Sequence, residues 1–417
     1  MFILSGFLNM KTSRTSPPAT LFKGRGDDSQ HNILLKKMRP LLAAWSLFLA
    51  CTLQAQQLSS DADISLITIG PTQKELYSAF GHSAIRVYDP ADNIDYFFNY
   101  GVFSFNQPNF YLNFARGRNM YQLGVYDYQS AKDYYVSENR TVHEQVLALS
   151  QSQKQRVFDY LTNNALPENK YYLYDYFYDN CATRPRDVLK AVLGDSIKFD
   201  ETPEKRPITI RGLTDIYLAQ QPWGDLGIDI CLGMPMDKVA SRTEYMFLPD
   251  SLESGFDRAT IKNHSTWVGL VKQKILVFEG GSQEIGISIF HPWVVFGLMS
   301  LIILTVSYRD LKRKKTTGWL DKTLFIATGV LGLLLVLLWA ATSHKAAANN
   351  LNVLWALPTN LIFPFIGNLK KKYFLFAASL TAGLLLSWFF LSQQLHVFLI
   401  PLVIAFGARY WVNYKLA

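Results

Sequence analysis

Cysteine is scarce in this chain, with three among 417 residues, and histidine numbers only seven. So few thiols exclude a disulfide-stapled scaffold. No Cys/His spacing of the zinc-binding kind occurs, no glycine-rich loop is placed to cradle phosphate, and no segment repeats. Those absences argue against zinc modules, P-loop nucleotide enzymes and solenoids, and no metal or cofactor is expected. The formal charge of +8 suggests nucleic acid at first sight. Residues 1–55, however, carry Lys11, Arg14, Lys23, Arg25, Lys36, Lys37 and Arg39 against Asp27 and Asp28, so +8 − 5 leaves +3 for the rest. Much of the remaining positive charge sits in short loops between hydrophobic spans. The charge is topological, and no nucleic-acid partner is expected.

What is present divides the chain. Lys36, Lys37 and Arg39 precede an apolar run, 41–53, which ends in Leu53-Gln54-Ala55 before Gln56. This is the layout of a secretory signal, so 38–55 reads as a signal peptide. Residues 1–37 then read as an over-called start or N-terminal extension, with Met38 the better start. Cys51 would be a lipidation site only with an ill-fitting Phe48 before it; an apolar signal residue is the plainer reading. Residues 56–287 read as an exported globular domain, and 288–417 as a transmembrane domain.

Five apolar stretches, near 290–307, 323–341, 351–368, 373–391 and 395–413, approach the ~20 residues that cross a bilayer. The third is the weakest, holding Asn352, Pro358, Thr359, Asn360 and Pro364. The loop 308–322 has six Lys/Arg, and Lys370, Lys371 and Lys372 follow the third span; the alternate loops carry only Lys345. By the positive-inside rule the basic loops are cytoplasmic and the preceding domain lies outside.

The exported domain holds two cysteines. A Cys181–Cys231 disulfide is the plain structural reading. Cys231, in the apolar run 227–233, otherwise suits a buried, inert thiol. Cys181 follows Asp179 and Asn180, either of which can cap a helix, and Pro185 is tolerated in a first turn. Cys181, Pro185, Val188, Leu189 and Val192 share one helical face, which Gly194 closes. A thiol at such a helix start, with Arg184 and Arg186 near, favours the thiolate and makes Cys181 a candidate nucleophile.

For a base the domain offers His82, His143 and His264. His143 lies in a helical-looking stretch and reads as a surface residue, and His264 has no special setting. His82 opens an alternating strand after Gly81, followed by a turn at 89–93 and a second strand at 94–101. If Ala84 pairs with Asn99, Asn99 becomes the diagonal neighbour of His82 and can accept its second N–H. A lone histidine at a strand start is more often structural; together with Cys181 it suggests catalysis.

Histidine on a hairpin first and cysteine opening a helix later is the order of circularly permuted papain-like enzymes. Gly81-His-Ser-Ala-Ile-Arg-Val87, Asn99-Tyr-Gly101, Pro108-Asn-Phe-Tyr111, Asp179-Asn-Cys-Ala-Thr-Arg184 and the later His344 and 352–358 resemble the Lnb family of lipoprotein N-acyltransferases, over about 60–415. The resemblance implies an α+β fold, a permuted papain-like exported domain followed by an α-helical transmembrane bundle of about five spans. It implies transfer of a fatty acyl chain from a membrane phospholipid, through a Cys181 thioester, to the α-amino group of a diacylated lipoprotein's N-terminal cysteine. It carries over His82 and Cys181 as catalytic residues, and implies a multi-pass inner-membrane enzyme with its catalytic domain periplasmic. Asp175 stands where papain-type enzymes place an oxyanion glutamine, so only the Cys181 N–H is assigned as donor. Asn180, Arg184, Arg116, Arg118, His344 and Asn352 are candidate substrate-binding residues. For Arg116 and Arg118 solvation is the bland alternative, and for His344 and Asn352 interhelical hydrogen bonding. Aromatic residues of 96–135 and 171–178 would line an acyl groove, sit at the headgroup level, or simply fill the core. A membrane-anchored thiol hydrolase and a non-catalytic envelope assembly protein remain alternatives.

Overall fold

The computed structural model describes residues 56–263, 265–281 and 289–417; the expected signal peptide with Cys51, and His264, lie outside them. Alternating apolar and polar runs become strands because successive side chains of an extended chain point to opposite faces. In order come β1 (Asp63–Ile69), β2 (His82–Asp89), β3 (Ile94–Val102), α1 (Phe110–Arg116), β4 (Met120–Asp127), α2 (Tyr128–Ser137), β5 (Val142–Leu147), α3 (Gln151–Asn164) and β6 (Tyr171–Leu173). They are followed by α4 (Thr183–Leu193), β7 (Ile197–Lys198), α5 (Ile210–Leu218), α6 (Pro222–Cys231), α7 (Arg242–Tyr245), α8 (Pro249–Arg258), β8 (Thr260–Asn263), β9 (Thr266–Gly269) and β10 (Val271–Phe278). The membrane part contains α9 (Pro292–Arg313), α10 (Gly318–Ala340), α11 (Lys370–Ser387) and α12 (Ile400–Leu416).

Seven strands form one antiparallel sheet in the order β10-β5-β1-β2-β3-β4-β6, and β7-β8-β9 form a second. One sheet face, with Ile64, Leu66, Ile85, Val87, Phe98 and Tyr100, packs on α3 and α4 through Val157, Phe158, Leu161, Val188 and Leu189. The other face buries Ile67, Ala84, Phe97 and Tyr128. Arg86 pins that face by pairing with Asp95 at 2.7 Å and Glu144 at 3.0 Å and lying 3.8 Å over the Tyr128 ring. The helical expectation at His143 fails. The residue lies in β5, held between β1 and β10, because ladder pairing on both edges outweighs local helix pattern.

Among the described residues four helices, not five, are long and apolar enough to cross a membrane. The weak third stretch instead makes short 3₁₀ turns at Leu351–Leu354, Pro358–Leu361 and Phe363–Phe365. It still runs the length of α10. Asn350 and Asn352 sit at the end of the bundle that meets α6, through the backbone of Asp229 and Ile230. Ala356 and Leu361 then pack on Gly332 and Gly329, midway along α10, and α11 begins beside Phe325 near the start of α10. The fifth crossing is therefore a broken chain, buried against protein, where non-helical backbone is tolerated at membrane depth. Prolines at 358 and 364 forbid a regular helix. Asn360 holds it in place, donating to Thr328 at 2.8 Å and Tyr410 at 2.7 Å and accepting from Tyr373 at 2.7 Å.

At the opposite end, the fully buried Arg409 of α12 pairs with Asp310 at 2.9 Å and Asp321 at 2.6 Å, tying α9, α10 and α12. Buried charge survives only when paired in this way. The soluble domain is seated on the bundle by α5 and α6. Buried Arg211 pairs with Asp229 and Asp237, both at 2.9 Å, and Gln393 donates to the Leu232 carbonyl at 3.0 Å.

Candidate active site

Asn180 builds the start of α4. Its Oδ1 accepts from the N–H groups of Ala182 (2.8 Å) and Thr183 (2.9 Å), and the Thr183 hydroxyl accepts from the Asn180 N–H at 2.8 Å. Its Nδ2 donates to the carbonyls of Tyr176 (2.7 Å) and Phe247 (2.8 Å). Cys181 is thus held in the turn that opens an eleven-residue helix, at the positive end of its dipole.

The strand carrying His82 brings the imidazole to the same place. The ladder pairs Ile85 with Phe98, so the next step opposes Ala84 and Asn99 and puts His82 diagonal to Asn99. His82 Nε2 lies 2.6 Å from Asn99 Oδ1. An amide oxygen only accepts, so Nε2 carries the proton and Nδ1 is the basic nitrogen. Two glycines permit this approach. Gly81 has φ +82, and a Cβ there would stand 2.7 Å from the Ile69 carbonyl. Gly101 has φ +92, a backbone conformation that side-chain-bearing residues rarely adopt, and lies against Cys181 and Tyr174.

Cys181 is a free, partly exposed thiol, and His82, the Ser83 N–H and the Tyr174 hydroxyl are the neighbours that favour its thiolate. Burial pushes the thiol up, but His82, Ser83 and Tyr174 together outweigh it and bring it below the ordinary cysteine range. Burial, with Cys181 beside it, holds the Tyr174 hydroxyl protonated well above the usual phenol range. Behind His82 stands Tyr135, ring centroids 6.3 Å apart, and behind that Arg140, whose guanidinium lies 5.3 Å from the Tyr135 ring. Arg140 donates to the Gly70 carbonyl at 2.8 Å, and burial lowers its pKa against the opposing pull of Tyr135, Tyr134 and Cys181.

Two family models match this architecture. The Lnb N-terminal periplasmic domain matches residues 53–215, and the Lnb transmembrane domain matches residues 283–417. The chain belongs to the Lnb family. No curated protein and no solved structure gives a significant match. As an Lnb protein it is a multi-pass membrane protein with a periplasmic domain, α+β overall.

Within this Lnb site, several sequence candidates are engaged elsewhere. Asn180 spends every polar side-chain atom on capping and loop closure rather than facing a substrate. Arg184 is forked onto Asp179 and stacked 3.9 Å over Tyr172. His344 Nε2 donates to the Phe114 carbonyl at 2.9 Å, and Asn352 accepts from Trp355 Nε1 at 2.8 Å while donating to Ile230. Both link the periplasmic domain to the bundle. Arg118 contacts Ser343 at 3.4 Å, and Arg116 is exposed. Asp175, at the papain glutamine position, accepts from the N–H groups of Phe177 (2.9 Å) and Tyr178 (3.1 Å) and shapes a turn. Cys231 is not the buried residue expected. It is free and surface-exposed at the end of α6, although surrounding protein desolvates its sulfur and raises its pKa. His143 is held by Glu253 at 3.1 Å. Tyr135 and Tyr174 lie in the aromatic stretches singled out in the sequence, but their places beside His82 and Cys181, and the role of Arg140, were not foreseen.

Proposed function

We propose that this Lnb protein is a lipoprotein N-acyltransferase of the inner membrane. It would move a fatty acyl chain from a phospholipid to the α-amino group of a diacylated lipoprotein's N-terminal cysteine. The observation that supports this reading is the set Cys181, His82 and Asn99, carried on a domain seated on the outer ends of membrane helices.

His82 Nδ1 takes the Cys181 proton, and the thiolate adds to the ester carbonyl of the phospholipid. The Cys181 N–H and the Tyr174 hydroxyl face the developing oxyanion; a phenol kept protonated by burial is a permanent donor. Collapse breaks the ester C–O bond, and the lysophospholipid alkoxide leaves with the proton from the imidazolium. The acyl group is now a thioester on Cys181. The lipoprotein amine then attacks that carbonyl and loses a proton to His82. The C–S bond breaks, giving an amide and returning the thiol. No cofactor is required, since attack, proton transfer and leaving group all balance on these residues.

The test is mass spectrometry of lipoprotein N-termini from cells with the wild-type protein and with Cys181→Ala. N-acylated termini in the first and free α-amines in the second are expected. Identical termini in both would overturn the assignment. Release of free fatty acid regardless of a lipoprotein amine would favour a thiol hydrolase, and full complementation by Cys181→Ala a non-catalytic assembly role.

A further inference from the structure

The segment around α1 places large apolar side chains in the open. Phe105 is 62% exposed, Tyr111 79%, Leu112 50% and Phe114 44%. Their height is set by the residues that follow α10. The Ser343 N–H donates to the Arg116 carbonyl at 2.8 Å, His344 bonds the Phe114 carbonyl, and a Cβ at Gly117 (φ +67) would stand 3.2 Å from the His344 ring. Ser343 and His344 lie just beyond the end of α10, a candidate membrane span, so α1 sits level with the bilayer surface. Exposed Arg116, Arg118 and Lys345 accompany it, the mixture of aromatic and basic groups that suits a lipid–water interface.

The same aromatic residues lead inward without a gap. Phe105 and Phe110 stand 5.0 Å apart by ring centroid, and Phe105 and Phe103 also 5.0 Å. Phe103 meets Tyr121 at 5.0 Å, and Tyr121 stacks on Tyr174 at 4.1 Å. Tyr174 and Cys181 stand side by side against Gly101. A file of rings thus connects a surface at bilayer height to the thiol.

We propose that Phe105, Tyr111 and Phe114 insert into the outer leaflet and that one acyl chain of a bilayer phospholipid passes along Phe103 and Tyr121 to Cys181. The path rests on the Cys181 nucleophile proposed above; the insertion does not. An acyl chain is the occupant because the surface is continuous with the membrane bundle and the path is aromatic throughout.

The full chain in phosphatidylethanolamine/phosphatidylglycerol vesicles tests it in two ways. A photoreactive benzoylphenylalanine at Tyr111 is expected to crosslink to phospholipid, whereas one at the exposed Tyr160 of α3 is not. Separately, the pair Phe105→Ser and Phe114→Ser is expected to slow Cys181 acylation by long-chain phospholipid at least tenfold and leave acylation by soluble p-nitrophenyl acetate unchanged. Absence of the lipid crosslink at 111 would overturn the insertion. Unchanged acylation by the long-chain phospholipid, or a loss equal for both esters and so blind to chain length, would overturn the path. A wild-type protein acylated by neither ester would sink the Cys181 reading and the path with it, while the crosslink would still decide the insertion.

Discussion

His82 and Asn99, diagonal neighbours on adjacent strands, are joined by a 2.6 Å hydrogen bond from Nε2 to Oδ1. That bond selects the tautomer in which Nδ1 is basic. Asn99→Ala should therefore lower kcat by about 10- to 100-fold, less than loss of a general base itself, with KM little changed. Asn99→Gln should not rescue it, because the longer side chain misplaces the oxygen. A proportional rise in KM instead would mark Asn99 as a substrate contact.

The thiol pKa gives a second expectation. Burial raises Cys181, and His82, Ser83 and Tyr174 lower it by more. Alkylation by iodoacetamide, followed by peptide mapping against pH, should show a Cys181 transition below the ordinary thiol range. His82→Ala should shift that transition upward, while Cys231 should react at higher pH in both proteins. An unchanged Cys181 transition in the histidine variant would contradict the pairing.

Asp215, on α5 where the periplasmic domain meets the membrane bundle, yields a pH effect on stability. Burial, then Asp229 and Asp225, raise its carboxyl to about 8 against the opposing pull of Arg211. A carboxyl with a raised folded-state pKa favours the folded protein when protonated. The unfolded chain ionises near pH 4, so stability from this group falls as pH rises from about 4 to about 8. Asp215→Asn should raise Tm increasingly over that window, measured by thermal unfolding in detergent. A gain independent of pH would refute the assignment.

The broken fifth crossing depends on close approach to α10. A Cβ at Gly332 would overlap the Ala356 carbonyl. Gly332→Val should destabilise the bundle by about 3 kcal/mol or more, read as loss of a monodisperse detergent-solubilised protein. Gly297 of α9, with open space around it, should accept Val with little change. Reporter fusions at Lys315 and Ser392 should report cytoplasmic and exported positions respectively, and an exported Lys315 would contradict the topology.

Much of this was legible in the sequence for local reasons. The strand, turn and strand around His82 carry a two-residue period, and the helix after Cys181 carries its own cap, so both groups could be placed from nearby residues. Asn99 followed from one register, which the ladder adopts. The remainder depends on contacts between distant segments. Tyr174 is one of 22 tyrosines until the fold puts it against Cys181, and Arg140 is an ordinary loop arginine until it is buried behind Tyr135. Arg211 with Asp229 and Asp237, and Arg409 with Asp310 and Asp321, are likewise formed only by folding. Hydropathy marks a fifth crossing but cannot show that it is broken, because its polar groups are satisfied by α10, α11 and α12 rather than by its own turns.

The most direct measurement is the fate of an acyl label on Cys181. Wild-type protein incubated with a labelled phospholipid and no acceptor should accumulate label on the Cys181 peptide, released by hydroxylamine and absent in Cys181→Ser. A diacylated lipopeptide with a free α-amine should discharge the label into an amide, and the same peptide with a blocked amine should leave it in place. Label that never reaches Cys181, or that departs as free fatty acid whether or not the amine is present, would contradict acyl transfer through this thiol.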